Sequence, residues 1–350
     1  MKKFLIYIML SMSLIGCSSS KSTNNNITET ESTTISNQSS TSSEEQQEGK
    51  LEAFDIDIKN NSLAINSDET LAIVSNSTIP EIKIYDLNEE KVIATLNEFV
   101  TPRNIAFSKD NSHFYISDST YGNIREFNSE TFELTRTFDL EQGVFGFTLT
   151  NAGDKIFANN QALSTVTVID LKSGNVEKII EGFSQPRQGI IIDDNDEFVY
   201  VTNFKGDDVR VVNTATLEIE KTLKGIPSVR AISVDDKGKY LYGASSSENS
   251  INVVDIETGE LVKSIAVGQE PYGAALSPDE KLILTGEKAS NQVSVINTET
   301  LEVISTIEGL DEPRQAIVYS SNDNKAYVLN KDLSISLIDY SEGNIIKTIK

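Results

Sequence analysis

The 350-residue chain has one cysteine, one histidine, no tryptophan and only seven arginines. A single cysteine cannot close an internal disulfide, and one cysteine with one histidine cannot build a Cys/His zinc site. Positive charge is also short: 30 Lys and Arg face 53 Asp and Glu, a formal charge of −23. Such a body gains nothing from counterion release on a phosphate backbone, so nucleic acid is not expected as a partner. No nucleophile–base pair, Gly-rich phosphate loop or ligand-spaced cluster occurs, and neither a cofactor nor a metal is expected. His113 lies between a polar turn and an apolar run, where a turn role is the simpler reading. The acidic pairs Asp193-Asp194, Asp207-Asp208 and Asp235-Asp236 are read as solvated turns rather than Ca²⁺ ligands.

What is present begins with an address. Met1-Lys2-Lys3 is a basic head, Phe4 to Ile15 is apolar, and the run closes on Leu14-Ile15-Gly16-Cys17. That ending resembles the lipobox of bacterial lipoproteins and falls on the chain's sole cysteine. The resemblance implies a removable signal over 1–16 and lipid, palmitate included, on Cys17. The expected location is the outer face of the cell membrane, or the outer membrane where two are present. Of the 26 residues 18–43, 20 are Ser, Thr or Asn, a composition that cannot offset its ordering entropy by burial. Residues 17–50 are therefore expected to be a lipid-attached, disordered tether, and 51–350 the folded body.

Within that body a β-like run ending in an apolar residue and Asp or Asn recurs. It appears at Tyr85-Asp86, Phe127-Asn128, Ile169-Asp170, Val212-Asn213, Val254-Asp255, Ile296-Asn297 and Ile338-Asp339. The intervals are 42, 42, 43, 42, 42 and 42 residues. The fourth copy reads as strands over 188–192, 197–203, 208–213 and 218–223, separated by polar turns. Four short antiparallel strands per repeat make one propeller blade, and seven copies predict an all-β, seven-bladed β-propeller.

Tyr200-Val201-Thr202-Asn203 spells the YVTN signature, and its phase recurs at Ile73–Asn76, Tyr115–Asp118, Phe157–Asn160, Tyr242–Ser245 and Tyr327–Asn330. Ser277-Pro278-Asp279 and Val293-Ser294-Val295-Ile296-Asn297 complete a pattern similar to the YVTN β-propeller repeat family, with Glu280 where that pattern has Gly. The resemblance implies the fold and says little about chemistry. Each copy starts with its inner strand and the seventh ends with Asn344 to Ile349, so no strand exchange between the termini is expected, while the alternating Phe54-Asp55-Ile56-Asp57-Ile58 could pair with the outer edge of the last blade and close the ring.

Each repeat phase maps to one place on a ring. Seventeen residues beyond the anchors stand Arg103, Phe145, Arg187, Arg230, Tyr272 and Arg314, with Asn61 at the equivalent place in the first blade. Four of the seven arginines therefore fall at one mouth of the central channel. Two uses are open at this point. The guanidinium groups and two rings form a funnel for a small anionic ligand, or each Arg bonds to carboxylates or carbonyls of the next blade and sets blade spacing.

The expected function is that of a monomeric, lipid-anchored, non-enzymatic binding module for such a ligand or for a protein partner. Its alternative is an enzyme similar to the seven-bladed 6-phosphogluconolactonase type, which acts on an anionic lactone.

Overall fold

The computed structural model describes residues 52–321 and 324–350, so the signal over 1–16 and the tether and Cys17 over 17–50 lie outside the described residues. Twenty-eight strands, β1–β28, form seven separate four-stranded antiparallel sheets among the described residues. In chain order the blades span 61–96, 102–139, 144–180, 186–224, 229–266, 275–308 and 317–349. The chain is thus an all-β, seven-bladed β-propeller.

Burial grades outward along each blade, and residue type follows. The second strand is covered on both faces by neighbouring blades: in β14 (Phe198–Asn203) every residue after Phe198 is buried. Continuous apolar runs such as Ile73-Val74 and Val199-Tyr200-Val201 suit that double cover. The fourth strand meets solvent, and β4 (Lys91–Leu96) alternates exposed and half-buried residues. First strands stand innermost, and Asn104 Nδ2 of one donates to Phe147 O of the next at 3.0 Å.

The YVTN asparagine has a definite job. In the fourth blade Asn203 Oδ1 accepts the backbone N–H of Ser184, and Asn203 Nδ2 donates to Asp208 Oδ1 at 2.8 Å. In the second blade Asp118 does the same work, accepting from the N–H groups of Val100 and Thr101. In these two blades the residue ending the second strand thereby latches the turn that leads into its own blade. Glu280 adopts φ 59°, the left-handed conformation that the family pattern fills with Gly.

Ring closure lacks strand exchange, as the repeat phase implies, but the expected pairing of residues 54–58 with the last blade does not occur. Every sheet draws all four strands from its own repeat, so no strand is exchanged between the chain ends. The seam between the last and first blades is closed by packing of Leu63, Val74 and Tyr85 against Tyr327, Leu329 and Ile335. Tyr85 Oη donates to Leu333 O at 2.8 Å, and Asn76 Nδ2 to Lys331 O at 3.0 Å. Residues 54–57 form a turn, not a strand, with Asp55 at φ 54°. Their alternating pattern is overridden by a set of hydrogen-bond donors waiting at the channel mouth.

Candidate functional site

The arginine phase sits on β-bulges. Pairing of β5 (Pro102–Phe107) with its neighbour is regular at Pro102 and again from Ile105, with a register shift between. The same shift separates Pro186 from Ile190 and Val229 from Ile232. A bulge re-aims the side chains it carries, here Arg103, Arg187 and Arg230, at the start of an inner strand. In the sixth blade Pro271 bridges Glu287 and the ladder resumes only at Ala275, so Tyr272 lies in the same kind of break, whereas in the seventh the ladder starts at Ile317, beyond Arg314. Gly286 admits the close approach of the Arg314 backbone: a Cβ there would stand 2.1 Å from Arg314 O.

From these positions the side chains diverge. Arg103 is wholly buried, and its Nε donates to Ser119 Oγ at 2.8 Å. Its two terminal nitrogens donate to Asp55 O at 3.0 Å, Asn60 Oδ1 at 3.1 Å and Ile58 O. Gln161 holds the Asp55 carboxylate, Phe54 N–H donates to Thr120 Oγ1 at 2.8 Å, and Arg314 Nη1 donates to Lys59 O at 3.0 Å. Residues 54–60 therefore form a clasp over one side of the mouth, seated on the seventh, first, second and third blades. Phe145 lies beneath it, its ring 4.5 Å from the Arg103 guanidinium carbon.

The opposite side carries a ladder of alternating cations and rings. Arg187 lies 3.7 Å and Arg230 4.4 Å from the Phe204 ring centre. Arg230 lies 4.7 Å and Arg314 5.2 Å from the Tyr272 ring centre. Hydrogen bonding thins along it. Arg314 keeps its bond to Lys59 and an ion pair with Glu312 at 3.5 Å, and Arg230 donates only from Nε, to Ser246 Oγ at 3.0 Å. The Arg187 side chain donates to no described group, and its Nε is buried without a partner. Burial, reinforced by the neighbouring Arg230, pulls the Arg187 guanidinium down to about 10, and burial lowers Arg230 as well.

A cavity of about 350 Å³ opens between ladder and clasp. It is lined by Arg187, Arg230, Arg314, Lys288 and Tyr272, with Asp57, Ile58 and Lys59 as the clasp's wall. Five cationic side chains thus face one carboxylate in a chain that is otherwise strongly acidic. Lys288 pairs with Glu270 at 2.8 Å. Of the six residues predicted from phase, Arg187, Arg230, Tyr272 and Arg314 come together here. Arg103 and Phe145 are diverted to the clasp.

Repeat phase puts the 203–208 and 245–250 loops at this mouth, but Phe204 and Ser246 within them, and Lys288, were not among the predicted site residues; each follows the last residue of the second strand by one position in successive blades. Ser77, Ser119 and Gln161 share this phase and hold the clasp through Asn60, Arg103 and Asp55. A second periodic position was therefore available as a signal.

The family model described as cytochrome D1 heme domain matches residues 192–350. Among solved structures, Kuenenia stuttgartiensis hydrazine synthase is similar in fold, with a TM-score of 0.71 at 13% identity. That likeness covers 83% of this chain and 98% of the other. No curated protein matches the chain in sequence. These likenesses bear on the fold.

The remaining candidates have structural partners. His113 Nδ1 shares a hydrogen bond with Ser112 Oγ at 2.8 Å, and Nε2 stands 3.8 Å from Glu126. It begins β6 (His113–Asp118), whose other end is at the mouth, about 17 Å away for a strand of this length. Asp193 and Asp235 each accept backbone N–H groups of their own turns, and Asp208 pairs with Arg210 at 2.9 Å.

Proposed function

We propose that this chain is a YVTN-type propeller, exported and lipid-anchored through Cys17, that binds a small anionic ligand at the mouth lined by Arg187, Arg230, Tyr272 and Arg314. One observation carries the binding reading: Arg187 is held between a ring and a cavity with its hydrogen-bonding capacity unspent. A guanidinium that only set blade spacing would bond as Arg103 does. The anchor rests on the lipobox-like ending alone. Labelled palmitate should enter the full chain and fail to enter Cys17→Ala.

Heme, named by the matching family model, does not fit the residues present. Residues 192–350 contain no His, Cys or Met, the usual axial ligands besides Tyr. The chain's single His is at the far end of its strand, bonded to Ser112. Tyr272, the remaining ligand type at the mouth, has guanidinium groups 4.7 and 5.2 Å from its ring centre. No step is derived through that group.

A lactonase-like reading shares the same cavity and is favoured by one feature: Asp57 brings a carboxylate to a cationic wall. Hydrolysis of 6-phosphogluconolactone above the buffer rate, lost in Asp57→Asn, decides for it. Binding without turnover decides for the module.

A further inference from the structure

The structure assigns the cavity beside Arg187 and Arg230 to compact oxyanions carrying two or more negative charges, such as short di- and tricarboxylates or phosphate monoesters. This deepens the anion-binding reading above and rests on it. Three features of the ladder lead to the charge class.

First, the guanidinium groups share rings. Arg187 and Arg230 lie 3.7 and 4.4 Å from one Phe204 centre, which keeps their central carbons within about 8 Å of each other. With Arg187 Nε buried and Arg230 Nε bonded to Ser246, the paired Nη groups of both remain for a ligand, and such a pair matches the paired oxygens of a carboxylate or phosphate. Two such forks at this spacing grip two anionic groups a few bonds apart, or one phosphate between them.

Second, the charges are crowded and partly dry. Burial lowers both guanidinium groups; Arg230 lowers Arg187 further, and Arg314 lowers Arg230 against the larger opposing pulls of Tyr272 and Glu270. Nearby carboxylates offset only part of this charge: Glu270 pairs with Lys288 and Glu312 with Arg314 and Lys331, Asp55 is held by Gln161, and Asp57 is the one carboxylate in the lining against five cations. A monoanion leaves most of the repulsion standing, whereas each further ligand charge relieves more of it.

Third, the volume sets an upper size. A cavity of about 350 Å³ lies at the small end for ligand sites, room for a compact metabolite-sized anion but not for a folded segment.

The test is calorimetric titration of the full-length chain in detergent at low ionic strength. The probes are acetate, succinate, citrate, inorganic phosphate, glucose 6-phosphate and glucose. Affinity is expected to rise at least tenfold from acetate to succinate and further to citrate, with no glucose binding. Arg187→Lys should lose at least tenfold for citrate because the ammonium keeps the charge but not the fork. Phe204→Leu should lose several-fold while still melting in one cooperative transition, which separates loss of the site from loss of the fold. Preference for citrate over glucose 6-phosphate, or the reverse, identifies carboxylate or phosphate as the source. Equal affinity for acetate and citrate overturns the charge class and leaves an anion site. Failure of every anion overturns both readings. Tight citrate binding that survives Arg187→Lys and Arg230→Lys overturns the assignment to this cavity.

Discussion

Arg103 and Arg187 occupy the same phase two repeats apart, each preceded by proline, each on a bulge and each beside a phenylalanine ring. Arg103 spends four hydrogen bonds on Ser119 and the clasp, while the Arg187 side chain makes none to a described group. The difference lies in what each meets one residue beyond the second strand. Ser119 accepts a hydrogen bond and leaves room for residues 55–60. Phe204 offers only a π-face and fills that space. One repeat position thus decides whether an arginine becomes scaffold or stays available.

Arg103→Ala tests the scaffold side with the largest expected effect. It leaves the half-buried carbonyls of Asp55 and Ile58 and the buried Asn60 and Ser119 side chains without their donor, and loss of about 3 kcal/mol is expected from a thermal or denaturant melt. Early proteolytic cleavage within 52–60 should accompany it. Phe204→Ser places the second blade's residue type on the open side. It should cost about 1 kcal/mol, the scale of a cation–π contact, and lower citrate affinity several-fold. Arg187→Ala should change stability by less than about 1 kcal/mol, because no hydrogen bond is lost and a crowded charge is removed. The same substitution should abolish citrate binding by calorimetry. A melt as damaging as that of Arg103→Ala would erase the distinction between the two sides.

The smallest effect is a local pH dependence of the clasp. Burial raises the Asp55 carboxyl above its ordinary 3.8, outweighing the Gln161 hydrogen bond and the pull of Arg103 and Arg187. The docked segment therefore binds that proton more readily than the free segment does. Docking should tighten as pH falls toward the raised value and loosen as pH rises above it. Hydrogen exchange at 54–60 relative to the blades should show this trend, and Asp55→Asn should remove it.

Much of the blade was legible because it repeats. The third strand of the fourth copy, expected over 208–213, is β15 (Asp208–Asn213). Its first strand, expected from Gln188, starts at Pro186, because a bulge over 187–189 extends the strand without extending its regular pairing. Bulges depend on register against a neighbouring strand and leave little trace in an apolar count. Phe54 to Ile58 alternates as a strand does, yet the donors of Arg103 and the left-handed Asp55 make it a clasp. The mouth was found through its arginines, whereas the ring that separates the two arginine fates lay in the adjacent phase.

The absence of strand exchange makes the seam between the last and first blades one interface among seven of the same kind. Covalent continuity is then a bookkeeping detail of the ring: the unit passed from copy to copy is a whole four-stranded repeat. The break in the circle is not tied to its present place. A chain reopened at the turn entering the fourth blade, with its old ends joined, presents the same seven interfaces and the same cationic wall.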